Sequence, residues 1–435
     1  MRIYINPTEE EITDIIARPS KDWGALSVAV GDVLQRVQSE GDDAVIDCER
    51  QFDHVDLSAV SPSSPLKVTE NEFQRAEQIV SPELKAALTS AHSNIARFHE
   101  AQRFVDVVVD TQPGVRCWQR SVPIESVGLY VPGGTAPLFS TVLMLATPAR
   151  IAGCRRIVLC TPPCKDGSVH PAILVAARIA GVSDVFKAGG VQAIGAMAYG
   201  TKSIPRVSKI FGPGNQYVQA AKQLVALSQV AIDMPAGPSE VLVIADESAV
   251  PSFVAADLLS QAEHGTDSQV LLLTNHEPML AAVQDELSRQ LAVLPRREMA
   301  EATLLNSRLV YSDSLQTIIS IANAYAPEHL ILEAADADRL AELVVNAGSV
   351  FIGHLTPESA GDYASGTNHT LPTNGWAKAY SGVNLDSFCR KITFQKISEE
   401  GLPSLAPIVE TMAEAEGLDA HRMAMALRRQ RLAKP

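Results

Sequence analysis

Short apolar runs alternate with helical stretches over most of the chain, and this alternation constrains the fold more than any other feature. The strand-like runs of the first set are 127–131, 156–160, 184–186 and 209–211, and the helical stretches between them are 137–151, 171–179 and 192–199. Strands that alternate with helices through short connections are typical of βαβ units and a mostly parallel sheet. The pattern therefore predicts a parallel α/β region.

A second set of alternating segments begins near residue 241. Its strand-like runs are 241–244, 270–273, 309–311, 330–332 and 350–352, and its helical stretches are 251–263, 278–294, 315–324 and 338–346. Helical spacing also marks 23–52 and 70–98 near the start of the chain and a tail from about 405 to 435. The predicted fold class is therefore α/β, with two Rossmann-like α/β domains and helical N-terminal and C-terminal extensions.

The composition excludes several classes of protein. The 435 residues carry a formal net charge of −14, which makes general binding to nucleic-acid phosphates unfavourable. No apolar run approaches the ~18 residues of a membrane span, and the first residues lack the apolar core of a signal peptide. Six cysteines are too few for a disulfide scaffold, so we expect a protein of the reduced cytoplasm with no nucleic-acid or membrane partner.

Gln261 and His264 lie three residues apart at the end of the predicted helix 251–263. Side chains at that spacing share one face of a helix, and Gly265 suits the helix end. A glutamine and a histidine that point the same way can both bind a metal. An ordinary polar helix end has the same pattern, so the spacing alone leaves both interpretations open.

Glu328 and His329 follow Pro327, which breaks the preceding helix because proline lacks the amide hydrogen that a helix interior needs. The pair is then expected at the start of the strand 330–332. Adjacent Glu and His side chains at a rigid corner can act as two separate acid–base groups. An exposed loop dipeptide is the alternative.

The segment 358–373 is rich in small residues and in hydrogen-bonding groups. It is long for a structureless connection within a compact domain, which argues against a plain surface loop. Asp362 and His369 are its candidate ligands or substrate contacts. Glu416 and His421 lie in the helical tail, where the spacing alone assigns no role to a lone histidine.

Three glycine turns follow strands of the first set: Gly133-Gly134, Gly189-Gly190 and Gly212-Pro213-Gly214. Glycine lets a backbone approach a phosphate or a ring closely, and a helix N-terminus attracts anions. None of the turns has the G-x-G-x-x-G spacing of the common dinucleotide fingerprint. The pattern therefore permits nucleotide binding without demanding it.

Seven segments together resemble histidinol dehydrogenases, and they occur in the order of that family. They are YVPGGTAPLFSTVLMLAT (130–147), GPGN (212–215), DMPAGPSEVLVIAD (233–246), LLSQAEHG (258–265), PEHL (327–330), SAGDYASGTNHTLPT (359–373) and GLDAH (417–421). Any one of them could occur by chance, whereas the ordered set is specific and covers nearly the whole chain.

The resemblance implies a cytoplasmic, zinc-dependent enzyme of histidine biosynthesis that oxidises L-histidinol to L-histidine with two NAD. It implies one zinc ion per subunit, with the ligands Gln261, His264, Asp362 and His421. It implies that the substrate is bound by these four residues together with Ser239, His329, His369 and Glu416, and NAD by Tyr130, Gln192 and Asn215. Glu328 and His329 are expected as the acid–base pair, and an ordinary imidazole pKa of about 6.5 would suit His329.

The resemblance further implies a homodimer in which the tail of one subunit completes the active site of the other. The expected boundaries are a helical extension at 1–28, a zinc and substrate domain at 29–129 plus 239–385, an NAD-binding domain at 130–238 and the tail at 386–435. We expect the tail to reach the partner subunit.

Three alternatives remain at this point. A dehydrogenase of the same fold could act on another amino alcohol or on a sulfonated propanediol, and the match of Ser239, His369 and Glu416 to the histidinol pattern argues against it. A zinc hydrolase could use Glu328 to activate water, but the glycine turns and two α/β regions argue against a site without a cofactor. A non-catalytic binding module is disfavoured by the intact acid–base pair.

Overall fold

The computed structural model describes residues 1–18, 23–60, 62–133 and 137–433. The chain divides into two compact units. The first consists of Met1–Gln102 with Ile124–Phe388, and the second consists of Arg103–Pro123 with Cys389–Pro435.

The described residues contain strands from three sheets. The strands are β1 (Arg2–Ile5), β2 (Val107–Gln112), β3 (Val115–Pro123), β4 (Ser126–Tyr130), β5 (Arg156–Thr161), β6 (Asp184–Lys187), β7 (Lys209–Phe211), β8 (Ala231–Ile232), β9 (Glu240–Ala245), β10 (Gln269–Thr274), β11 (Arg308–Tyr311), β12 (His329–Glu333), β13 (Ser349–Ile352) and β14 (Cys389–Ile397).

The helices occur between these strands and at both ends of the described chain. They are α1 (Glu9–Ile15), α2 (Trp23–Glu40), α3 (Asp42–Cys48), α4 (Leu57–Val60), α5 (Glu70–Ile79), α6 (Pro82–Glu100), α7 (Phe139–Ala152), α8 (Pro171–Ile179), α9 (Gly190–Tyr199), α10 (Gln216–Ala226), α11 (Pro251–Ala262), α12 (Pro278–Leu291), α13 (Arg297–Leu305), α14 (Leu315–Tyr325), α15 (Ala337–Glu342), α16 (Glu358–Tyr363), α17 (Leu402–Ala415) and α18 (Asp419–Leu432). A π-helical turn, Glu49–Asp53, follows α3, and short 3₁₀ turns occupy Trp376–Lys378 and Leu385–Phe388.

Two parallel sheets form the frame of the first unit. One has five strands in the order β6-β5-β4-β7-β8, and the other has six in the order β1-β11-β10-β9-β12-β13. Every strand pairing within them is parallel. The predicted α/β class with two parallel regions is confirmed, and the apolar runs that predicted β4 and β12 are the buried interiors of those sheets.

Helices from the start of the chain cover the five-stranded sheet. Val30 and Leu34 of α2 share a hydrophobic core with Ile194 of α9, and Phe73 of α5 and Ile95 of α6 belong to the core on the sheet's other face. This differs from the expected boundaries, which grouped 29–129 with the substrate domain. Helical periodicity shows which face of α2 is buried, but it does not show which sheet that face covers.

The second unit contains an antiparallel sheet with the order β14-β3-β2, together with the packed helices α17 and α18. The expected tail began at 386, whereas in the structure β14 pairs with β3, so that 103–123 joins 389–435. The side chains of β2 are mostly exposed, so this strand lacks the alternating apolar face that would reveal it in the sequence. Trp118 of β3 stacks on Phe394 of β14 at a ring separation of 5.3 Å.

Among the helices of the described residues, none combines the length and apolar character needed to cross a bilayer.

Candidate active site

A cleft of about 1010 Å³ lies in the first unit. One part of its wall comes from turns that follow strands of the five-stranded sheet, including Gly133 and Asn215. Another part comes from segments that precede strands of the six-stranded sheet, including Ser239 and His264. The cleft therefore places one expected cofactor residue, Asn215, on the same wall system as two expected substrate residues, Ser239 and His264.

Ser239 and His329 are positioned by two neighbouring strands. Ser239 comes directly before β9 and His329 is the first residue of β12, and the two strands pair in parallel with His329 opposite Val241. Amino ends of adjacent parallel strands lie at the same edge of a sheet. The register thus places the acid–base pair beside the residue expected to bind substrate.

A tight corner precedes the pair, as the proline predicted. Ala326 ends α14 with φ 53° and ψ 66°, a left-handed conformation that closes many helices and is uncommon for residues other than glycine. Pro327 then prevents continuation of the helix. Glu328 and His329 are both buried, so the alternative of an exposed loop dipeptide does not apply.

Glu328 is held by the backbone of β9. Its Oε2 accepts a hydrogen bond from the Glu240 N–H at 2.9 Å and lies 3.7 Å from Nδ1 of His329. Burial raises the pKa of the Glu328 carboxyl to about 8, and His329 opposes that rise. Within the described residues Oε1 makes no hydrogen bond, so this oxygen is available to a water molecule or a substrate.

His329 is oriented by the same residue of β9. Its Nδ1 lies 3.1 Å from the Glu240 carbonyl oxygen, a contact that requires a proton on Nδ1. In the neutral imidazole Nε2 is then the acceptor, and it has no hydrogen-bond partner among the described residues. This is the tautomer that a general base needs.

The surroundings of His329 are rich in carboxyl groups. Nε2 lies 3.5 Å from Oδ1 of Asp362. Burial lowers the pKa of His329, but Glu328, Asp362 and Glu358 outweigh burial and raise it to about 10. The ordinary imidazole pKa expected from the sequence therefore differs from the structure, because Asp362 and Glu358 join the adjacent Glu328 from a distant part of the chain.

Asp362 of α16 is surrounded by three histidines. Burial raises the pKa of its carboxyl, but His329, His369 and His264 outweigh burial and hold it below its ordinary value. His264 follows the C-terminal end of α11, and desolvation by the protein around it lowers its pKa. The structure thus brings together His264, Asp362, His329 and His369, which the sequence separates widely.

Gln261 lies in the last turn of α11 and is buried. The orientation that satisfies its amide places the nitrogen towards Glu358, with donation to Oε1 at 2.9 Å and to Oε2 at 3.2 Å. The amide oxygen then points away from that carboxylate. This oxygen is the atom that a metal would use.

The expected metal ligands can be compared with the donor atoms that zinc prefers. Within the described part of the chain, no three His, Cys, Asp or Glu side chains stand together as a metal-binding group. The expected ligands explain that result, because Gln261 is an amide and His421 belongs to the second unit, which leaves His264 and Asp362. Their nitrogen and oxygen donors suit zinc, so the first unit fits as a partial set.

His369 lies in the segment after α16 and contacts a helix of the other α/β region. Its Nε2 lies 3.4 Å from Oγ1 of the buried Thr141 in α7, and burial lowers its pKa. The neighbouring Asn368 donates to the Met144 carbonyl at 2.6 Å. These contacts fix the expected substrate residue by two hydrogen bonds to one helix, and the segment is not a plain surface loop.

Two of the expected NAD residues lie around the turn Gly189-Gly190. The hydroxyl of Tyr130, at the end of β4, accepts from the Gly190 N–H at 3.1 Å. Gln192 is buried and its Nε2 donates at 2.8 Å to Oε1 of Glu49, which also accepts from the Gly189 N–H at 2.8 Å. Gln192 can therefore offer a ligand its amide oxygen and its second N–H without losing this contact.

Asn215 borders the cleft as the N-cap of α10. Its Oδ1 accepts from the N–H groups of Tyr217 and Val218 at 3.1 Å each. The turn before it needs glycine at 212, since φ is 127° and a Cβ atom would lie 2.1 Å from the Tyr130 carbonyl oxygen. The third glycine turn is described only as far as Gly133, because Gly134 lies outside the described residues.

The remaining expected residues, Glu416 and His421, belong to the second unit. Glu416 is the C-cap of α17, and His421 lies in the first turns of α18. Both side chains are exposed. Neither side chain is therefore part of the core of the second unit.

The sequence pattern missed residues that hold the site together. Glu240 is buried and its carboxylate pairs with Arg18, whose Nη2 also donates to the Tyr325 carbonyl at 2.7 Å. Asp233 accepts from the Gly212 N–H and pairs with the buried Lys222 at 2.6 Å. A charged residue directly before an apolar run, such as Glu240, was the available signal, because burial of a charge requires a partner.

Comparisons with known proteins identify the family to which the chain belongs. The family model described as histidinol dehydrogenase matches residues 16–429. A histidinol dehydrogenase of Bacteroides thetaiotaomicron is 60% identical over 428 residues, which cover 98% of this chain and 99% of that protein. One from Bacteroides fragilis is 58% identical, with all of both chains covered.

A solved structure gives the same result. The crystal structure of histidinol dehydrogenase from Elizabethkingia anophelis matches with a TM-score of 0.96 and 50% identity, and covers 100% of this chain and 99% of that one. The chain belongs to the histidinol dehydrogenases, the NAD-dependent oxidoreductases that act on histidinol in histidine biosynthesis.

Proposed function

We propose that this chain oxidises L-histidinol to L-histidine through L-histidinaldehyde, with one NAD reduced in each of two steps, one zinc ion per subunit and active sites shared within a homodimer. The observation that supports the two-step reaction best is the Glu328 and His329 pair. Each keeps one atom without a hydrogen bond in the described structure, Oε1 of Glu328 and Nε2 of His329, while Glu240 fixes the other. Two separate proton acceptors suit two successive oxidations.

The first oxidation needs a base for the alcohol. We propose that Nε2 of His329 accepts the hydroxyl proton while a hydride leaves the same carbon for NAD, which yields the aldehyde and NADH. Because the Glu240 carbonyl keeps a proton on Nδ1, the neutral imidazole accepts only at Nε2. Its pKa of about 10 would have to fall for this role, and the positive charge of a bound zinc ion would lower it.

The second oxidation needs water. An aldehyde carbon is trigonal, and its hydrogen leaves readily as hydride only after water has added. We propose that Glu328 accepts the proton of the attacking water, that the resulting hydrate transfers a hydride to a second NAD, and that the carboxylic acid is formed. Burial raises the pKa of Glu328 to about 8, which makes its carboxylate a stronger base than an exposed one.

The proposed zinc ligands are Gln261, His264, Asp362 and His421. When bound, zinc would orient the nitrogen groups of the substrate and add positive charge beside His329, without a redox role, since it has no accessible redox change. Ser239 and His369, with Glu416 of the tail, are proposed to bind the substrate. Tyr130, Gln192 and Asn215 are proposed to bind NAD, and a cytoplasmic location rests on the family resemblance.

The reaction is tested by its stoichiometry. Purified protein is given L-histidinol and excess NAD, and NADH formed per histidinol consumed is counted. We expect a ratio of two with little free aldehyde. A ratio of one with accumulating aldehyde would contradict the proposal, and a sulfonated propanediol is the control substrate, from which no NADH is expected.

The shared site is tested by mixing subunits. A His421→Asn variant and a Gln261→Ala variant are combined and allowed to exchange. In a mixed dimer one site receives both defects and the other receives none, so a randomised equal mixture should recover ~25% of wild-type activity by two-fold symmetry. No recovery despite verified exchange would place His421 in the site of its own subunit.

A further inference from the structure

Glu358, the first residue of α16, is a buried carboxylate with no role in the chemistry above. Only 1% of its surface is exposed. Its Oε1 accepts a hydrogen bond from Oγ of Ser260 at 2.8 Å. Both of its oxygens lie within hydrogen-bond distance of the Gln261 amide, whose nitrogen is assigned to this side because the opposite orientation would set oxygen against oxygen. Two consecutive residues of α11 therefore donate to one carboxylate.

A carboxylate fixes the orientation of a glutamine amide more strongly than other partners do. The two ends of an amide have almost the same shape, so packing alone scarcely distinguishes the oxygen from the nitrogen. Burial raises the pKa of Glu358 to about 7, while His329 and the Ser260 hydroxyl oppose that rise and favour the ionised form. The ionised carboxylate only accepts hydrogen bonds, so it selects the orientation in which the nitrogen of Gln261 faces it. The oxygen is then fixed on the opposite side.

We propose that Glu358 is a positioning residue that presents the amide oxygen of Gln261 to the metal. The inference rests on the proposed zinc binding by Gln261. Glu358 selects the amide end that can bind a cation, because an amide nitrogen is not a metal ligand. Partners of this kind, one step behind the ligands, typically change metal affinity by ~10–100-fold when they are lost.

The test is Glu358→Gln, which keeps the size of the side chain and adds a donor that can trap the Gln261 oxygen. Zinc affinity is measured on the full chain by competition with a coloured chelator, with the melting temperature as a check on folding. We expect the zinc dissociation constant to rise ~10–100-fold. Ser260→Ala is the matched control, since it removes a donor to the same carboxylate, and its zinc affinity should stay close to that of the wild type.

A second comparison separates positioning from the mere loss of a negative charge. In a Gln261→Ala background, Glu358→Gln should have no further effect on zinc affinity, because positioning acts only through the amide. An equal loss in both backgrounds would overturn the inference. If Glu358→Gln folds poorly, Glu358→Asp is measured in its place, because it keeps an acceptor-only group at this position. A zinc affinity of Glu358→Asp below that of Gln261→Ala would also overturn the inference.

The outcomes also separate this inference from the proposed function. If Gln261→Ala binds zinc as tightly as the wild type, then Gln261 is not a ligand and the proposed ligand set fails. If Gln261→Ala weakens binding and Glu358→Gln does not, the ligand set stands and the positioning role is refuted.

Discussion

The two parallel sheets of the first unit use opposite ends for their candidate functional residues. In the five-stranded sheet the glycine turns follow β4, β6 and β7, so the expected NAD residues lie at the carboxyl ends of strands. In the six-stranded sheet Ser239 precedes β9 and His329 opens β12, so the acid–base pair lies at the amino ends.

Open parallel sheets commonly bind ligands outside the carboxyl ends of their strands. The five-stranded sheet follows that rule, because a strand that leads into a glycine turn and a helix N-terminus presents backbone N–H groups to an anion. The six-stranded sheet departs from it and presents side chains fixed by backbone hydrogen bonds. Under the proposed function, the same architecture would serve cofactor binding at one end and proton transfer at the other.

At the carboxyl end of the six-stranded sheet, where that rule would place a ligand, lies a buried pair of carboxyl groups. Glu333 ends β12 and Asp257 lies on α11. Burial first, and then the Asp257 carboxylate, raise the pKa of Glu333 to about 8. The comparison thus predicts catalytic effects at the amino end, cofactor effects at the glycine turns and effects on stability alone at this third location.

The largest effect is expected from the acid–base pair. Glu328→Gln should mainly slow aldehyde oxidation, and His329→Asn should slow alcohol oxidation at least as much, each by ~10²–10⁴-fold as for other general bases. The measurement supplies histidinol or histidinaldehyde and follows NADH in each half-reaction separately. Equal losses of both half-reactions in Glu328→Gln would remove the separate roles.

An intermediate effect is expected at the N-cap of α10. Asn215→Asp keeps the capping oxygen but replaces a donor with a negative charge beside the proposed NAD phosphates, so the KM for NAD should rise about tenfold, the factor that corresponds to about 1.4 kcal/mol. The melting temperature should change little, because Asp caps as well as Asn. Asn215→Ala is the contrasting variant, with an expected loss of ~1 kcal/mol of unfolding free energy. A rise in the KM for histidinol alone would contradict the assignment.

The smallest effect is expected at the carboxyl end of the six-stranded sheet. Because the folded-state pKa of Glu333 is raised from 4.5 to about 8, it favours folding at low pH, and that contribution is lost as the pH rises through about 8. Glu333→Gln should therefore be more stable than the wild type at alkaline pH, by at least about 1 kcal/mol of unfolding free energy, and equally active.

Chemical denaturation at pH 6 and pH 9 measures this difference, with the exposed Glu298→Gln as the matched control. A Glu333→Gln variant that gains nothing at pH 9, or that loses activity, would show that the two ends of the sheet do not divide stability and catalysis in this way.

Local pattern was sufficient to predict the strands that carry the site. The predicted runs 127–131 and 330–332 belong to buried strands, and the Pro327 corner is a sharp helix end. The pattern missed β1, whose four residues pair with β11, with Arg2 opposite Arg308. This strand lies outside the alternation of strands and helices by which equally short strands such as β7 were predicted.

Contacts between residues far apart in the sequence could not be predicted, for a physical reason. The motifs indicated the types of residue at the site, and Glu328 is the sequence neighbour of His329. Two further carboxylates that raise the pKa of His329, those of Asp362 and Glu358, belong to α16 and approach it only through the fold. The covering of the five-stranded sheet by α2 and α6 was missed in the same way, because amphipathic helices do not specify their partner.

Glu240 contacts both members of the acid–base pair through main-chain atoms, with its N–H on Glu328 and its carbonyl on His329. A substitution scan cannot remove such atoms, so it would report only the loss of the side-chain pairing with Arg18 and would undervalue this position. A shift of one residue between β9 and β12 would break both contacts at once and turn each side chain to the opposite face. The positions of Glu328 and His329 therefore depend on the lengths of the segments that connect β9 and β12 as much as on the residues themselves.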